Sequence, residues 1–406
     1  MELVKKLINL LPQYDEIENI LKDYPEGQYI LKTTIETLKK SQGTQGATNY
    51  NGDGVEECFF LVQALIDKFW EVIHTGHFSA VPLDVRKTYA MGCFCKIIFL
   101  LLESMERLHI EKCNEIFDDA MLLGCTQNIF VNERKFMDLL AEFFDTELDP
   151  TEELQLPILE TIPRQHSVQC DILQLDRPSL EEFNKKCFTA HQPTLLLNTI
   201  DHWPAMEKWR NLNYILKLAG IRTVPIEIGS NYATEEWSQQ LMKIKDFLKR
   251  QFSQQKVTPE IEYLAQHELF EQIPQLKNDF FIPDYCQLGD HKEPIDIKAW
   301  LGPKGTISPM HYDPKHNILC QIFGSKKIIL ASPKDSENLY PHEGEMLSNT
   351  AQIDAAHPDL EKYPLLSKVT FYHLILQPGD CLYMPPKWWH YVESESPSFS
   401  VSFWWE

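Results

Sequence analysis

The hydrophobic period of this chain changes near residue 150, and that change limits the folds it can adopt. Before it, apolar residues recur every three or four positions, as Leu3, Leu7 and Leu10 do in the first segment. This spacing places apolar side chains on one face of a helix, so residues 1–148 are predicted to form an all-helical bundle. This half carries no recognisable catalytic constellation. We expect it to bind an unknown protein partner or to support the second half.

After an acidic stretch with three prolines, the pattern becomes that of strands. Residues 149–168 are predicted to form a linker, followed by a catalytic domain over 169–406. That domain contains short runs rich in β-branched and aromatic residues, such as TVPIEIG, KKIILASP, FYHLILQPGD and SFSVSFWW. With helical stretches between them, these runs predict a β-sandwich or barrel that carries helices on its outside. The predicted fold class is therefore α+β.

The charge balance limits the partners this chain can have. Lys and Arg total 38 and Asp and Glu total 59, a formal net charge of −21. Nucleic acids and anionic membranes attract basic faces, so neither is expected as a direct partner. An Arg- or Lys-rich protein segment suits an acidic chain, although the acid could also serve solubility alone. The longest apolar run, residues 97–102, is too short to span a bilayer.

The cysteine pattern argues for a reduced, intracellular protein. Ten cysteines are scattered along the chain, and none forms a C-x-x-C pair. Zinc ribbons and thioredoxin-like sites are therefore not predicted. Such cysteines are typical of buried thiols in a reducing compartment.

A candidate metal site begins with His311 and Asp313. Residues two apart on a strand face the same side, so one strand end can direct an imidazole and a carboxylate at one point. His390, in PPKWWHYV, is the candidate third ligand. Two histidines and one carboxylate are typical of non-haem Fe(II) oxygenases, because they leave coordination positions open.

Other histidines fit this role less well. His109 is followed by an acid at the right spacing, but it lies in a helical pattern, where residues two apart do not share a face. His291 and His357 lie in Gly-, Pro- and Asp-rich loops without flanking strands. The turn DPKHN directs His316 away from the face of His311.

Two segments, GPKGTISPMHYDPKHNILCQIFGSKKIILASP and LQPGDCLYMPPKWWHYV, closely resemble the JmjC domains of Fe(II)- and 2-oxoglutarate-dependent oxygenases. The resemblance extends from about residue 170 to the C-terminus, through WPAMEKW, VPIEIGSNY and LYPHEGEMLSNTAQID. It implies a double-stranded β-helix (a jelly roll, or cupin) with surrounding helices. It also implies Fe(II) as the metal, with 2-oxoglutarate and dioxygen as cosubstrates.

The same resemblance implies the residues that bind 2-oxoglutarate. Lys326 matches the family lysine that pairs with the far carboxylate, whereas Lys327 would face the opposite side of its strand. A cation together with hydroxyl and amide donors can bind a dicarboxylate through charge-assisted hydrogen bonds. The other matching positions are Tyr263, Ser308 and Asn317.

The last strand alternates between two faces. Ser400, Ser402 and Trp404 share one face, and the small serines leave room for a ligand beside the indole. Trp404 is therefore a candidate wall of the cosubstrate pocket, with Trp405 packing outward; the alternative is that both belong to the core.

The resemblance leaves the reaction open between related chemistries. Hydroxylation of arginine side chains in basic proteins is favoured, with Glu227 and Trp300 as substrate-binding candidates, because a guanidinium needs an acid and an aromatic plane. N-methyl-lysine demethylation of histones is the alternative, and a metal-bound scaffold without catalysis is the second. An Arg/Lys-rich protein or histone-tail substrate, a monomer, and a nuclear location with possible cytoplasmic presence are expected. Roles in chromatin and transcription regulation, the cell cycle and biological rhythms would follow from such a substrate.

Overall fold

A computed structural model describes most of the chain in two compact units. It covers residues 2–41, 53–75, 80–125, 129–147, 156–159, 171–229, 237–253, 260–290, 292–344 and 347–406. One unit is Met1–Pro150 with Ile221–Thr223, and the other is Thr151–Gly220 with Val224–Glu406. Of the linker predicted at 149–168, all but 156–159 lies outside the described residues. No helix in the part of the chain that the structure describes has the length and apolarity needed to cross a bilayer.

The first unit is built from helices. Helix α5 is apolar around most of its circumference and is buried along its length, as are Cys93, Phe94 and Cys95 within it. The other helices present one apolar face to it, and an amphipathic helix gains most of its stability from such packing. In the described residues the helices are α1 (Glu2–Leu10), α2 (Tyr14–Ile20), α3 (Pro25–Ser41), α4 (Asp53–Ile73), α5 (Leu83–Glu103), α6 (Arg107–Leu122) and α7 (Glu133–Glu147).

The second unit contains two facing sheets, and with the helical first unit it confirms the predicted α+β class. Its strands are β1 (Leu173–Asp176), β2 (Thr194–Leu197), β3 (Thr223–Ile228), β4 (Ser238–Lys243), β5 (Glu262–His267), β6 (Asp296–Gly302), β7 (Ile307–Tyr312), β8 (His316–Phe323), β9 (Lys326–Ala331), β10 (Phe371–Leu376), β11 (Cys381–Met384), β12 (Trp389–Ser394) and β13 (Ser398–Trp405). The large sheet has the order β1-β2-β11-β8-β13-β6-β5-β3-β4, and the small one β10-β9-β12-β7.

Helices cover this sandwich on the outside of the large sheet. Their apolar residues and the outward residues of the sheet form one core, in which Trp209, Phe403 and Trp405 are buried. The α-helices are α8 (Leu180–Phe183), α9 (Ala205–Lys208), α10 (Leu212–Ala219), α11 (Ile244–Phe252), α12 (Leu269–Gln272) and α13 (Pro274–Lys277).

A second core joins the inner faces of the two sheets. Leu319 from the large sheet packs in one cluster with Ile328 and Leu330 from the small sheet. A third core lies on the outer face of the small sheet, where Trp389 packs in one cluster with Leu339 and Ile353 of the segment between β9 and β10. Polar residues of both sheets, among them Asn317, Lys326 and His390, line a cavity next to the second core.

Candidate active site

The strand register brings His311, Asp313 and His390 together. Strands β7 and β12 are antiparallel neighbours in which His390 is paired with His311. The two imidazole ring centres are 4.2 Å apart. Asp313 follows β7 directly, and its Oδ2 atom lies 3.6 Å from Nε2 of His390. One ligand atom from each residue lies within 4.8 Å of the others, the spacing that a single metal ion requires.

Backbone carbonyls orient both imidazoles toward this point. Nδ1 of His311 lies 2.7 Å from the carbonyl oxygen of Pro309, and Nδ1 of His390 lies 3.0 Å from that of Trp388. When Nδ1 donates to a carbonyl, the lone pair of Nε2 is left free for a metal. Burial, and next the neighbouring His311, lower the pKa of His390, which favours the neutral form that ligates.

Two side chains orient the carboxylate of Asp313. The indole N–H of Trp404 donates to Oδ2 at 3.0 Å, and the amide of Asn317 donates to the same atom at 3.3 Å. Such partners hold a ligand carboxylate in place. Two imidazoles and an oriented carboxylate are a donor set that fits a divalent first-row metal such as Fe(II). Sequence reasoning placed Trp404 beside the pocket but missed its bond to Asp313.

A cavity of about 400 Å³ adjoins this group, and every residue predicted above for the site lines it. Ser402 and Trp404 face the cavity, while Trp405 lies in the core on the other face of the large sheet. Sequence reasoning did not anticipate several other lining residues. These are Trp237, Ala265, Gln266, Leu319, Leu347, Asn349, Thr350, Met384 and Val392.

The sequence of the segment that contains Asn349 and Thr350 does not indicate that this segment lines the cavity. It lies between β9 and β10 and pairs with the edge of β7, where the N–H of Tyr312 donates to the carbonyl of Asn349 at 3.0 Å. Thr350 forms an isolated bridge with His311. A polar stretch without apolar alternation gives no sign that it forms a wall of a pocket.

Lys326 is a buried cation at the inner end of the cavity. Its side chain is almost fully buried, with 1% of the residue exposed, and Nζ donates to the hydroxyl of Tyr263 at 3.2 Å. No carboxylate among the described residues lies within 4 Å of Nζ. Burial lowers the pKa of Lys326 to about 7. A buried ammonium without a counter-ion is costly, so this end of the cavity suits an anionic group.

Tyr263, Ser308 and Asn317 surround that position with hydroxyl and amide groups. Burial raises the pKa of Tyr263, and Ser308 contacts the Tyr263 hydroxyl and opposes that rise. The Oδ1 atom of Asn317 is buried without a hydrogen-bond partner in the described part of the chain. These groups can therefore form hydrogen bonds with the oxygen atoms and hydroxyl groups of a small polar ligand.

The part of the cavity wall next to Tyr263 carries a carboxylate among aromatic rings. Glu227 lies on β3, where it is paired with Tyr263 of β5. Burial raises the pKa of Glu227, and the nearby indole of Trp237 opposes that rise without a well-aligned hydrogen bond. Trp300 is held by its own indole N–H, which donates to Ser402 at 2.8 Å. Among the described residues no Lys or Arg pairs with Glu227.

The competing histidines lie away from this group. His316 is buried with Nδ1 2.9 Å from the hydroxyl of Tyr383. His109 lies in helix α6, and His357 is exposed beside an aspartate. His291 lies outside the described residues. Within the described residues, the group around His311 is the one cluster with metal-ligand spacing.

A cupin sandwich with a His/Asp/His group at one end defines the class of this protein, and sequence comparisons agree. Residues 180–406 match the cupin-like domain family. The chain belongs to the Jumonji C family of Fe(II)- and 2-oxoglutarate-dependent oxygenases. It is a 2-oxoglutarate-dependent oxygenase, and its metal and cosubstrate are Fe(II) and 2-oxoglutarate.

Three relatives illustrate that membership. Jumonji C domain-containing protein 5 of Drosophila melanogaster is 59% identical over 99% of this chain and 98% of its own length. Lysine-specific demethylase 8 of Danio rerio is 37% identical over 84% of this chain and 86% of its own. A lysine-specific demethylase of Arabidopsis thaliana is 36% identical over 84% of this chain and 85% of its own.

Proposed function

We propose that this protein hydroxylates a C–H bond of an arginine side chain in a basic protein segment. The observation that carries the proposal is Glu227, a carboxylate in the active-site cavity without a cation partner among the described residues. The net charge of −21 supports it, because an acidic chain attracts Arg- and Lys-rich segments over long range.

The other predicted site residues would bind either the iron or 2-oxoglutarate. His311, Asp313 and His390 would hold the iron, with Trp404 and Asn317 fixing the carboxylate. With 2-oxoglutarate and dioxygen, the bound iron supplies the oxidising power that inserts an oxygen atom into a C–H bond. Four residues of the cavity would bind the carboxylate of 2-oxoglutarate that is remote from the iron. They are Lys326, Tyr263, Ser308 and Asn317.

The substrate would enter on the side of Glu227. A carboxylate forms two parallel hydrogen bonds with a guanidinium, which an ammonium cannot reproduce. Trp237 and Trp300 provide flat apolar surface on which a guanidinium can stack. A partly desolvated carboxylate gains more from such a pair than an exposed one, because little water competes for it.

Glu227→Gln tests this assignment, since it keeps the shape and removes the charge. We expect turnover of an arginine peptide to fall at least tenfold, because charge-assisted bonds contribute about 1.5–3 kcal/mol. The affinity for 2-oxoglutarate should stay near the wild-type value. Mass spectrometry of the peptide and calorimetric titration of 2-oxoglutarate measure the two quantities.

The matched control is Glu268→Gln, since Glu268 pairs with Lys298 and does not line the cavity. It should leave turnover unchanged. Replacing the target arginine of the peptide by lysine should have an effect similar to Glu227→Gln. A Glu227→Gln enzyme that hydroxylates its peptide at the wild-type rate would refute the substrate role.

The pKa of Lys326 predicts how cosubstrate affinity changes with pH. Below about pH 7 the free protein already carries the cation, so affinity for 2-oxoglutarate should be constant. Above that value a proton must be taken up on binding, and affinity should fall by up to about tenfold per pH unit. Calorimetric titration from about pH 6 to about pH 9, with Mn(II) to prevent turnover, measures this profile. A flat wild-type profile, identical to that of Lys326→Met, would contradict it.

Demethylation of N-methyl-lysine is the second candidate, and the names of the zebrafish and plant relatives favour it. Both reactions need the same iron and cosubstrate and differ in what the cavity accepts. Matched peptides with arginine or methylated lysine separate them by mass spectrometry. A gain of one oxygen on arginine supports hydroxylation, and faster loss of a methyl group from lysine supports demethylation. Membership of the oxygenase family argues against a scaffold without catalysis.

We further propose that the substrate is a histone tail or another Lys/Arg-rich protein and that the enzyme acts as a monomer in the nucleus. The demethylase names of relatives support a regulatory role on chromatin and transcription. Roles in the cell cycle and biological rhythms rest on the same reasoning. Imaging of the tagged full chain tests the location, and sedimentation tests the monomer.

A further inference from the structure

The helical unit has an open groove that its own helices do not fill. The groove lies between the start of α3 and the side of α4 that carries Ala64 and Lys68, and it has a free volume of about 570 Å³. Ile30 is partly exposed in it, whereas Leu65 and Phe69 are buried core residues that lie beneath it. Ala64 joins it to a neighbouring concave surface of about 550 Å³ around Phe60, which is 64% exposed.

The rim of this groove is acidic. Asp23 and Glu26 line one end, and Glu56 and Glu57 line the other. Lys68 is the lining cation, and its Nζ is already paired with Glu26 at 3.1 Å.

The electrostatic surroundings of Tyr24 agree with an acidic rim. The pKa of the Tyr24 phenol is raised by burial first, and then by the carboxylates of Asp84 and Asp23. An exposed apolar surface inside an acidic rim is typical of a site for a basic, amphipathic partner.

The length of the groove fits one docked helix. Thirteen positions of α4 separate Glu56 from Phe69, so at ~1.5 Å per residue the two adjoining surfaces together extend about 20 Å along this helix. Amphipathic helices dock in apolar grooves through residues spaced three and four apart. We propose that this groove binds an amphipathic, Lys/Arg-rich helix of a partner protein.

Two other occupants fit less well. A second copy of this chain would bring acidic rims and a net charge of −21 against each other. The chain's own segment 42–52, QGTQGATNYNG, contains no Lys or Arg that could pair with the rim.

The test uses the full chain and two labelled fourteen-residue peptides, one of Leu and Lys at helical spacing and one of Leu and Glu. Fluorescence anisotropy should show binding of the Leu/Lys peptide alone, and circular dichroism should show that it gains helix. Phe60→Ser should weaken binding at least tenfold, and Leu108→Ser, whose side chain is 75% exposed on α6, should not. Glu57→Lys should weaken binding more than the control Glu142→Lys.

Several results would overturn the proposal. Equal losses in the groove variants and their controls would mean general charge attraction, and equal binding of the Leu/Glu peptide would remove the charge argument. A wild-type dimer that Phe60→Ser dissociates, seen by sedimentation, would assign the groove to a second copy. Unchanged unfolding temperatures and unchanged 2-oxoglutarate turnover in Phe60→Ser would establish that a loss is local.

Discussion

His390→Ala should reduce turnover at least ~100-fold, because changing groups that merely orient metal ligands already costs about 10–100-fold. His390 is 4% exposed and faces His311 across β12 and β7. Its removal takes away one of three donor atoms and leaves the carboxylate of Asp313 with a single imidazole neighbour. Mn(II) binding, followed by electron paramagnetic resonance, should weaken in parallel with turnover.

The control for this variant is His357→Ala. That imidazole is exposed and lies 3.2 Å from Oδ2 of Asp354, away from the cavity. Both variants should retain the far-ultraviolet circular dichroism of the wild type. Near-normal turnover in His390→Ala, with the fold intact, would mean that another residue completes the metal site.

The parts of the site that lie within one strand could be predicted from the sequence. His311 and Asp313 occupy one strand end at a spacing of two, and Lys326 and Lys327 take opposite faces of β9. In the structure Lys326 is buried, whereas Lys327 is partly exposed with Nζ 3.9 Å from Glu393. Alternation with a period of two is a local property, so a single strand reveals it.

Contacts that depend on strand order could not be predicted in this way. Trp404 reaches Asp313 because β13 pairs with β8, which places Trp404 beside Asn317. Trp237 lies beside Glu227 through the pairing of separate segments. The bridge of Thr350 to His311 depends on a long connection folding back on β7. Which distant segments become neighbours depends on the tertiary fold, and neither the local hydrophobic period nor the composition reveals it.

The second large effect is expected for Lys326→Ala. Loss of a charge-assisted pair worth about 1.5–3 kcal/mol should weaken 2-oxoglutarate binding by roughly tenfold or more. Apparent affinity is measured by succinate release at varied 2-oxoglutarate and by calorimetry with Mn(II). Lys326→Met fills more of the space and should lose a similar amount, since the charge is what both variants remove.

Lys326→Met should lower the affinity for 2-oxoglutarate but raise the stability of the cosubstrate-free protein. Without cosubstrate, the buried ammonium has a pKa of about 7, far below that of an exposed lysine. Its folded-state pKa is lowered, so it destabilises the fold most below about pH 7, and the penalty fades as pH rises. Lys326→Met should therefore raise the unfolding temperature of the cosubstrate-free protein at neutral pH and reduce the stabilisation that 2-oxoglutarate gives. Lys327→Met, on the exposed face, should change neither quantity. An unchanged affinity for 2-oxoglutarate in Lys326→Met would place the cosubstrate carboxylate elsewhere in the cavity.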